Sequence, residues 1–303
     1  MRLLLKLCAG SKGHAKIAQM QRMDKQHRVL CGDAVEVLRR QPPSCVALTV
    51  TSPPYYLHRD YGIEGQIGQE PTLKEYLDRI VSVLGEVLRV TDDQGTCFIV
   101  IGDTYRDRRL LLIPHRVGIL ASDMGWTVRN DVIWHKTSPP PESPRNRWRS
   151  GHEHILFLSK RPSGYRFNTD AIRVPHSAAT LRRWGAGQSY GGPKSKGRRS
   201  PNDSRMRDGQ VFQLNPLGCL PTDVWSCAGA NTSAGHYAAF PVQLVRTIVE
   251  ACSLPGDLVL DPFPGSGTTC AVADSLGRRS LGIDLNPEYA IMAEKAACRS
   301  RAA

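Results

Sequence analysis

From residue 29 onward, runs of apolar residues with strand character alternate with stretches whose apolar residues have helical spacing. The clearest strand is 45–50, a largely apolar and β-branched run that ends at two prolines. The clearest helix begins at Thr72, which forms a capping-box pattern with Glu75, and continues to Val90. Similar patterns predict strands at 28–32, 95–103, 128–136, 152–160, 257–262 and 279–284, and helices at 33–40, 111–125, 240–252, 268–277 and 287–296.

This alternation predicts an α/β fold, with a parallel-type sheet covered by helices on both faces. The pattern breaks at 138–150 and 185–210, which are rich in Pro, Gly, Ser and Arg and have little periodicity. We therefore expect an insertion or a small second domain between two parts of one sheet.

The composition is that of a folded protein without a membrane span. The chain has 303 residues, of which 41% are hydrophobic and 22% charged, enough for a buried core and against wholesale disorder. No apolar run approaches the ~20 residues of a membrane-spanning helix. The nine cysteines never have C-x-x-C spacing, which favours reduced thiols in a cytoplasmic protein over disulfides or zinc. The short apolar start, interrupted by Lys6, is interpreted as a non-targeting extension.

The net charge of +12 is concentrated in two segments. Residues 135–210 contain 16 Lys/Arg and 5 Asp/Glu, and residues 1–28 contain 7 and 1. The rest of the chain, with 17 and 22, is slightly acidic. Basic segments beside acidic folded parts indicate a polyanionic partner such as nucleic acid, and a solvated flexible loop is the alternative.

A glycine-containing loop, 261–269, separates a predicted strand from a predicted helix. Its glycines, Gly265 and Gly267, let the backbone approach a bound nucleotide, and Asp284 at the end of the next strand can accept hydrogen bonds from ribose hydroxyls. The third glycine of the dinucleotide fingerprint and the lysine of a P-loop are both missing. The loop therefore favours a nucleoside cofactor without a pyrophosphate, and an ordinary strand–helix turn is the alternative.

A second loop, Thr51-Ser52-Pro53-Pro54-Tyr55-Tyr56, follows the predicted strand 45–50. Alone, it also fits a PPxY peptide bound in polyproline form, or a plain proline turn. Open α/β sheets place their ligands at the carboxyl ends of strands, so we expect this loop to lie in the functional site.

Together, the two loops resemble the permuted class of amino-group DNA methyltransferases, in which the catalytic half precedes the half that binds S-adenosylmethionine. The resemblance runs from about Val29 to Lys295 and has high specificity because all its motifs occur in the same order. The further motifs are Gly32-Asp33-Ala34, Ile67-Gly68-Gln69-Glu70, Ile101-Gly102-Asp103, Trp134-His135-Lys136, His152-Glu153 and His236 to Pro241.

The resemblance implies a Rossmann-like methyltransferase fold and divides the chain by function. It implies a basic N-terminal extension at 1–28, a catalytic half at 29–137, a basic insertion with a target-recognition region at 138–235, and a cofactor-binding half at 236–303. The family loop often has Ala or Cys where this chain has Pro264. The implied cofactor-binding residues are Asp33, Phe240, Pro241, Asp261, Pro262, Phe263, Gly265, Gly267, Thr268 and Asp284.

The implied catalytic residues are Ser52, Pro53, Pro54 and Tyr55. The lone pair of an exocyclic amine is delocalised into the base, and acceptors such as the Ser52 hydroxyl and the Pro53 carbonyl would direct it toward the methyl group. Tyr55 offers a ring on which a base rotated out of the duplex can stack. This chemistry needs no covalent enzyme intermediate, and the cysteines lack the setting that cytosine-C5 enzymes use. Methylation at carbon 5 is therefore excluded.

The basic insertion is expected to contact double-stranded DNA through phosphates and base edges. No metal is expected, because His152 and His154 lack helical ligand spacing. The sequence also has no convincing nuclease carboxylate cluster, so we expect this protein to modify DNA without cleaving it. Any restriction endonuclease would be a separate partner protein. We expect a cytoplasmic location. The candidate DNA-binding residues are Arg145, Arg147, Arg149, Arg182, Arg183, Arg198 and Arg199.

Serine in the first catalytic position favours a site-specific DNA methyltransferase acting on cytosine N4. Adenine N6 is the principal alternative, since enzymes of that kind more often have Asp or Asn there. An RNA or protein methyltransferase and a catalytically dead DNA-binding protein are less favoured, because the basic insertion and the intact site residues argue against them.

Overall fold

The computed structural model describes residues 27–139, 141–184, 214–229 and 240–299. The chain forms two compact units. The first comprises Met1–Phe167 and Asp223–Ala303, and the second is Asn168–Thr222. Among the described residues, no helix combines the length and apolar character needed to cross a bilayer.

The first unit contains one large sheet and two groups of helices. Its strands are β1 (His27–Cys31), β2 (Val46–Thr51), β3 (Thr91–Ile101), β4 (Tyr105–Arg106), β5 (Arg109–Leu110), β6 (Thr127–Lys136), β7 (His152–Ser159), β8 (Val224–Cys227), β9 (Leu258–Asp261) and β10 (Arg279–Asp284). Its helices are α1 (Ala34–Arg39), α2 (Leu73–Val90), α3 (Ile113–Asp123), α5 (Val242–Cys252), α6 (Thr268–Ser275) and α7 (Pro287–Arg299).

The large sheet has eight strands in the order β1-β10-β9-β2-β3-β7-β6-β8, and β4 pairs only with β5. The first five strands of that order are parallel, which confirms the predicted α/β fold. Strand β7 is antiparallel to both β3 and β6. Parallel neighbours usually need a helical crossover, whereas antiparallel neighbours do not. The antiparallel pairing of β6 and β7 therefore agrees with the absence of a helix from the described residues between them.

The two faces of the sheet are covered by different helices. Leu281 and Ile283 of β10 join the core that α1, α2 and α3 form on one face. The intervening Gly282 points the other way, toward Cys270 of α6. A Cβ atom at Gly282 would lie 3.2 Å from the Pro264 ring and 3.4 Å from the Cys270 sulfur, so this face has little spare room.

The predicted capping box is confirmed at the start of α2, where Thr72 and Glu75 cap each other. Strand β3 begins directly after this helix, at Thr91, four residues earlier than predicted, and ends at Ile101. Asp103, two residues beyond the end of β3, accepts a hydrogen bond from the Ile113 backbone N–H at 3.1 Å, in the first turn of α3. This bond ties the start of α3 to the end of β3, across the connection that contains β4 and β5.

The second unit is small in its described part. It contains a 3-10 helix (Asp170–Ile172) and helix α4 (Ala178–Trp184). An isolated antiparallel bridge joins Val174 to Cys219. All three features fall within the segment 138–235, whose role in target recognition stays a prediction.

Candidate active site

The two loops singled out in the sequence meet at one edge of the sheet. Strand β2 lies beside β9 in parallel register, with Thr49 opposite Leu260, so the residues that follow both strands leave the sheet at the same edge. The loops line a single cavity of about 580 Å³. That volume lies within the usual range for small-molecule sites.

Asp261, at the end of β9, links the two loops. Its Oδ1 accepts hydrogen bonds from the Thr51 hydroxyl at 2.7 Å and from the Phe263 backbone N–H at 3.0 Å. Burial raises the pKa of the Asp261 carboxyl to about 6, although hydrogen bonds to the carboxylate oppose the shift. Asp261 does not line the cavity, so it contributes to the site by joining the end of β2 to the glycine loop.

The two loop glycines have different environments. Gly265 lines the cavity and its backbone N–H lies 3.2 Å from Oδ2 of Asp284. Gly267 lies outside the cavity lining, with φ of +86°, and a Cβ atom there would lie 2.6 Å from Cα of Ala293 in α7. Gly267 is therefore required by the close approach of a helix, whereas Gly265 shapes the cavity itself.

Asp284, at the end of β10, also lines the cavity. Burial raises the pKa of its carboxyl to about 6, against the opposing effect of hydrogen bonds from the backbone N–H groups of Asn286 and Gly265. The carboxylate thus lies where a ligand's hydroxyl groups could donate to it.

Most of the other predicted cofactor residues also line the cavity. They are Asp33, Phe240, Pro262, Phe263 and Thr268. Asp33 in addition caps α1 by accepting a hydrogen bond from the Glu36 backbone N–H at 3.0 Å. Pro241 is the N-cap residue of α5 and does not line the cavity.

All four predicted catalytic residues, Ser52 to Tyr55, line the cavity. Tyr76 of α2 helps to hold this loop in place, because its hydroxyl donates a hydrogen bond to the Pro54 carbonyl at 3.0 Å. The Tyr55 ring lies against Gly102, where a Cβ atom would be 2.7 Å from the ring. The Tyr55 ring therefore occupies space that any side chain at position 102 would fill.

Tyr55 lies in a chain of polar side chains. The Ser52 hydroxyl donates to the Tyr55 hydroxyl at 3.5 Å, and the Tyr55 hydroxyl donates to the Glu153 carboxylate at 2.7 Å. The other carboxylate oxygen of Glu153 pairs with the Lys136 ammonium. Burial raises the pKa of Tyr55 well above its usual value, and the neighbouring Glu153 carboxylate adds to the shift.

Glu153 and Lys136 are site residues to which sequence reasoning assigned no role. They come from the adjacent antiparallel strands β7 and β6. Strand alternation was the available signal, since His152 and His154 must point away from the face that carries Glu153. Nothing in the sequence placed that face against Tyr55, 98 positions away.

On the opposite face of the same strands, His115, Asp131 and His154 have side-chain ligand atoms within 4.8 Å of one another. Nδ1 of His154 lies 2.9 Å from Oδ1 of Asp131, so this pair satisfies itself by a hydrogen bond. The absence of a metal from the protein's chemistry stays a prediction.

The predicted DNA-binding arginines fall into three groups. Arg145 and Arg149 are exposed, whereas Arg147 pairs with Glu142 and lies over the Tyr105 ring at 3.9 Å. Trp148, between them, is 94% exposed. In the second unit Arg182 is exposed. The Arg183 side chain, Arg198 and Arg199 lie outside the described part of the structure.

Residues 46–295 match the model of the protein family described as DNA methylase. The chain is 34% identical over 291 residues to the Type II methyltransferase M.XycI of Xanthomonas campestris pv. cyanopsidis, covering 86% of this chain and 84% of that protein. It is 32% identical over 287 residues to M.Cfr9I of Citrobacter freundii, covering 85% and 83%.

Among solved structures, it resembles a proposed DNA modification methylase of Thermus thermophilus in complex with S-adenosyl-L-methionine. The TM-score is 0.59 at 28% identity, covering 90% of this chain and 94% of that one. The fold is also shared with the PvuII DNA methyltransferase, described as cytosine-N4-specific, with a TM-score of 0.65 at 19% identity, covering 90% and 86%.

Proposed function

Because the chain belongs to the DNA methylase family of amino-group methyltransferases, we propose that it methylates the N4 amine of cytosine in double-stranded DNA. S-adenosylmethionine is the methyl donor. In this proposal residues 29–137 form the catalytic half and residues 236–303 form the cofactor-binding half, and the cavity at the sheet edge joins the two.

The residues around the glycine loop fit this donor. The Asp284 carboxylate is half-buried at the cavity wall, an acceptor suited to ribose hydroxyls. Phe240 and Phe263 supply apolar walls, and Asp33 supplies a second acidic group toward the adenosine part. When bound, the donor supplies an electrophilic methyl group. The protein's own task is to hold that group in line with the target amine, which can account for a large share of the rate.

The orientation of Ser52 supports the catalytic assignment most strongly. Its hydroxyl donates to Tyr55, so its oxygen lone pairs are available to accept a hydrogen bond from an amine in the cavity. Accepting that hydrogen, together with the Pro53 carbonyl, localises the lone pair of the amine. Tyr55 provides the aromatic ring next to the rotated base.

The choice of cytosine over adenine rests on Ser52. The resemblance associates serine in this position with N4 enzymes and an acidic or amide side chain with N6 enzymes. Adenine N6 remains the alternative product, with the same fold, donor and loop chemistry.

Mass spectrometry of nucleosides from DNA of cells that express this chain tests the proposal, with Ser52→Ala as the matched variant. We expect N4-methylcytosine with the unaltered chain and its loss with Ser52→Ala, while affinity for S-adenosylmethionine stays within twofold. N6-methyladenine would overturn the choice of base. Full activity of Ser52→Ala would remove Ser52 from the mechanism.

DNA is held in this proposal by the exposed basic segment around Trp148. Arg145 and Arg149 are exposed there and suited to phosphate contacts. Two relatives are named Type II methyltransferases, which supports a role in protecting DNA from a separate cognate endonuclease. DNA from expressing cells should then resist cleavage by that endonuclease, and DNA from Ser52→Ala cells should be cut.

A further inference from the structure

The hydrogen-bonded chain of Ser52, Tyr55 and Glu153 has a direction. Ser52 donates to Tyr55 and Tyr55 donates to Glu153, so both hydroxyl hydrogens point along the chain toward Glu153. The chain ends at a carboxylate, which is the only member that cannot donate further when ionised. This arrangement resembles a path along which a proton can move from Ser52 to Glu153.

The proposed reaction needs such a path. An amine that gains a methyl group as its carbon–sulfur bond breaks also gains the positive charge of the donor. It must then lose one proton to become the neutral N-methyl product. The Ser52 hydroxyl and the Pro53 carbonyl are too weakly basic to keep that proton, so the proton requires a further acceptor.

Resting on the proposed function, we propose that Glu153 is the terminal proton acceptor of the methyl transfer and receives the proton through Ser52 and Tyr55. The N–H bond of the methylated amine breaks as an O–H bond forms at Ser52. Ser52 passes its own hydrogen to the Tyr55 oxygen, and Tyr55 passes its hydrogen to Oε2 of Glu153. The two hydroxyls end neutral, and the carboxyl releases its proton to solvent in a later step.

The carboxylates at the cavity favour Glu153 for this role. Among the described residues that line the cavity, the acidic side chains are Asp33, Glu153 and Asp284. Asp33 caps α1, and Asp284 accepts hydrogen bonds from two backbone N–H groups of the cofactor half. Only Glu153, among these three, has a hydrogen bond to the loop that contains Ser52.

Tyr55 is suited to transfer rather than to hold the proton. The raised pKa of its hydroxyl keeps the phenol neutral at ordinary pH, so the phenol can donate to Glu153 while it accepts from Ser52. The Ser52–Tyr55 distance of 3.5 Å is long, and such bonds commonly tighten when the substrate is bound.

Two basic groups face this chain, in addition to the Tyr76 hydroxyl near Tyr55. Lys136 of β6 pairs with the second oxygen of Glu153 and balances its charge in a site where the Glu153 side chain is 14% exposed. The His58 ring meets the Tyr55 ring edge-on at a centroid distance of 5.7 Å. Burial lowers the pKa of His58, with the Glu153 charge acting in the opposite direction, so a neutral His58 is the competing acceptor.

The decisive variant is Glu153→Gln, because its amide oxygen still accepts the Tyr55 hydrogen bond but cannot serve as a base. The substrate is DNA made by whole-genome amplification, which carries no methyl groups. At pH 7 the single-turnover rate constant for its methylation should fall at least 100-fold, within the usual range for general acid–base catalysis. The remaining rate should increase with pH, since hydroxide must replace the carboxylate. Glu153→Asp should be faster than Glu153→Gln because it keeps a carboxylate. A role in packing alone would predict the opposite order, since glutamine has the shape of glutamate and aspartate is shorter.

The control variants separate this role from alternatives. Asp131→Asn removes a hydrogen-bonded carboxylate from the opposite face of the same strands and should keep the rate within twofold. His58→Gln should keep it within tenfold. A full rate in Glu153→Gln, or a 100-fold loss confined to His58→Gln, would overturn the assignment.

A measurement without cofactor or DNA tests the Tyr55–Glu153 coupling directly. In the full chain with 3-fluorotyrosine at position 55, the fluorine resonance should move in Glu153→Gln, because the phenol then donates to a neutral amide instead of a carboxylate. Identical resonances of the two proteins would contradict the coupling. If the unaltered chain transfers no methyl group to DNA, the proposed function fails. The relay fails on its own if the unaltered chain methylates DNA and Glu153→Gln does so equally well.

Discussion

The two loops at the cavity are held in place by different means. The loop Ser52 to Tyr55 depends on side chains from distant elements, including Tyr76 of α2 and Glu153 of β7. In the loop from Pro262 to Gly267, the backbone N–H groups of Phe263 and Gly265 donate to the carboxylates that end β9 and β10, and Gly267 packs closely against α7. A loop of the first kind can adjust its chemistry through substitutions elsewhere in the fold, whereas a loop of the second kind tolerates little change at its own positions.

The largest expected effect is that of Gly267→Ala. Left-handed backbone strain and a Cβ atom 2.6 Å from Ala293 should together lower the free energy of unfolding by about 2–5 kcal/mol. Gly277→Ala is the matched control, because Gly277 has φ of +71° with no atom near its Cβ position, and it should cost only ~1–2 kcal/mol. Denaturant unfolding of both variants measures the difference, and equal losses would contradict a packing role for Gly267.

An intermediate effect is expected from Asp284→Ala. Losing a charge-assisted hydrogen bond to the ribose should weaken binding of S-adenosylmethionine by ~1.5–3 kcal/mol in calorimetry. Glu288→Ala, at an exposed position in the first turn of α7, is the control and should bind normally. Unchanged affinity of Asp284→Ala would refute the ribose assignment.

The smallest effect is expected from Tyr76→Phe, which leaves the Pro54 carbonyl without its hydroxyl donor. We expect ~0.5–1.5 kcal/mol of lost transition-state stabilisation in single-turnover kinetics, with no change in cofactor affinity. Tyr165→Phe controls for loss of a phenol elsewhere, since the Tyr165 ring packs on Phe157 away from the cavity. A loss of cofactor affinity instead would mean that the Tyr76 hydrogen bond also positions the glycine loop.

The meeting of the two loops could be predicted from the sequence. Each follows an apolar strand, and the carboxyl ends of parallel strands share an edge of the sheet. The periodicity also located the six helices of the first unit to within a few residues, although it did not predict α4. Asp284 was found because it ends the strand after the glycine loop. These are features that depend on neighbours along the chain.

The parts that could not be predicted depend on contacts across the fold. Asp261 and Gly267 stand in the right loop, but the sequence alone cannot show that the first faces Thr51 or that the second faces Ala293. Lys136 and Glu153 reach Tyr55 only because β6 and β7 extend the sheet beyond β3. Their contribution follows from strand order, which periodicity does not specify.

The narrow space between Gly282 and Pro264 has an evolutionary consequence. A Cβ atom at position 282 would lie 3.2 Å from the Pro264 ring, 3.3 Å from the Val29 side chain and 3.4 Å from the Cys270 sulfur, so a side chain there requires small shifts of its neighbours. A smaller residue in place of Pro264 removes the tightest of these contacts. We therefore expect these two positions, 18 residues apart, to co-vary among relatives, with the pairing of proline and glycine inherited as a unit.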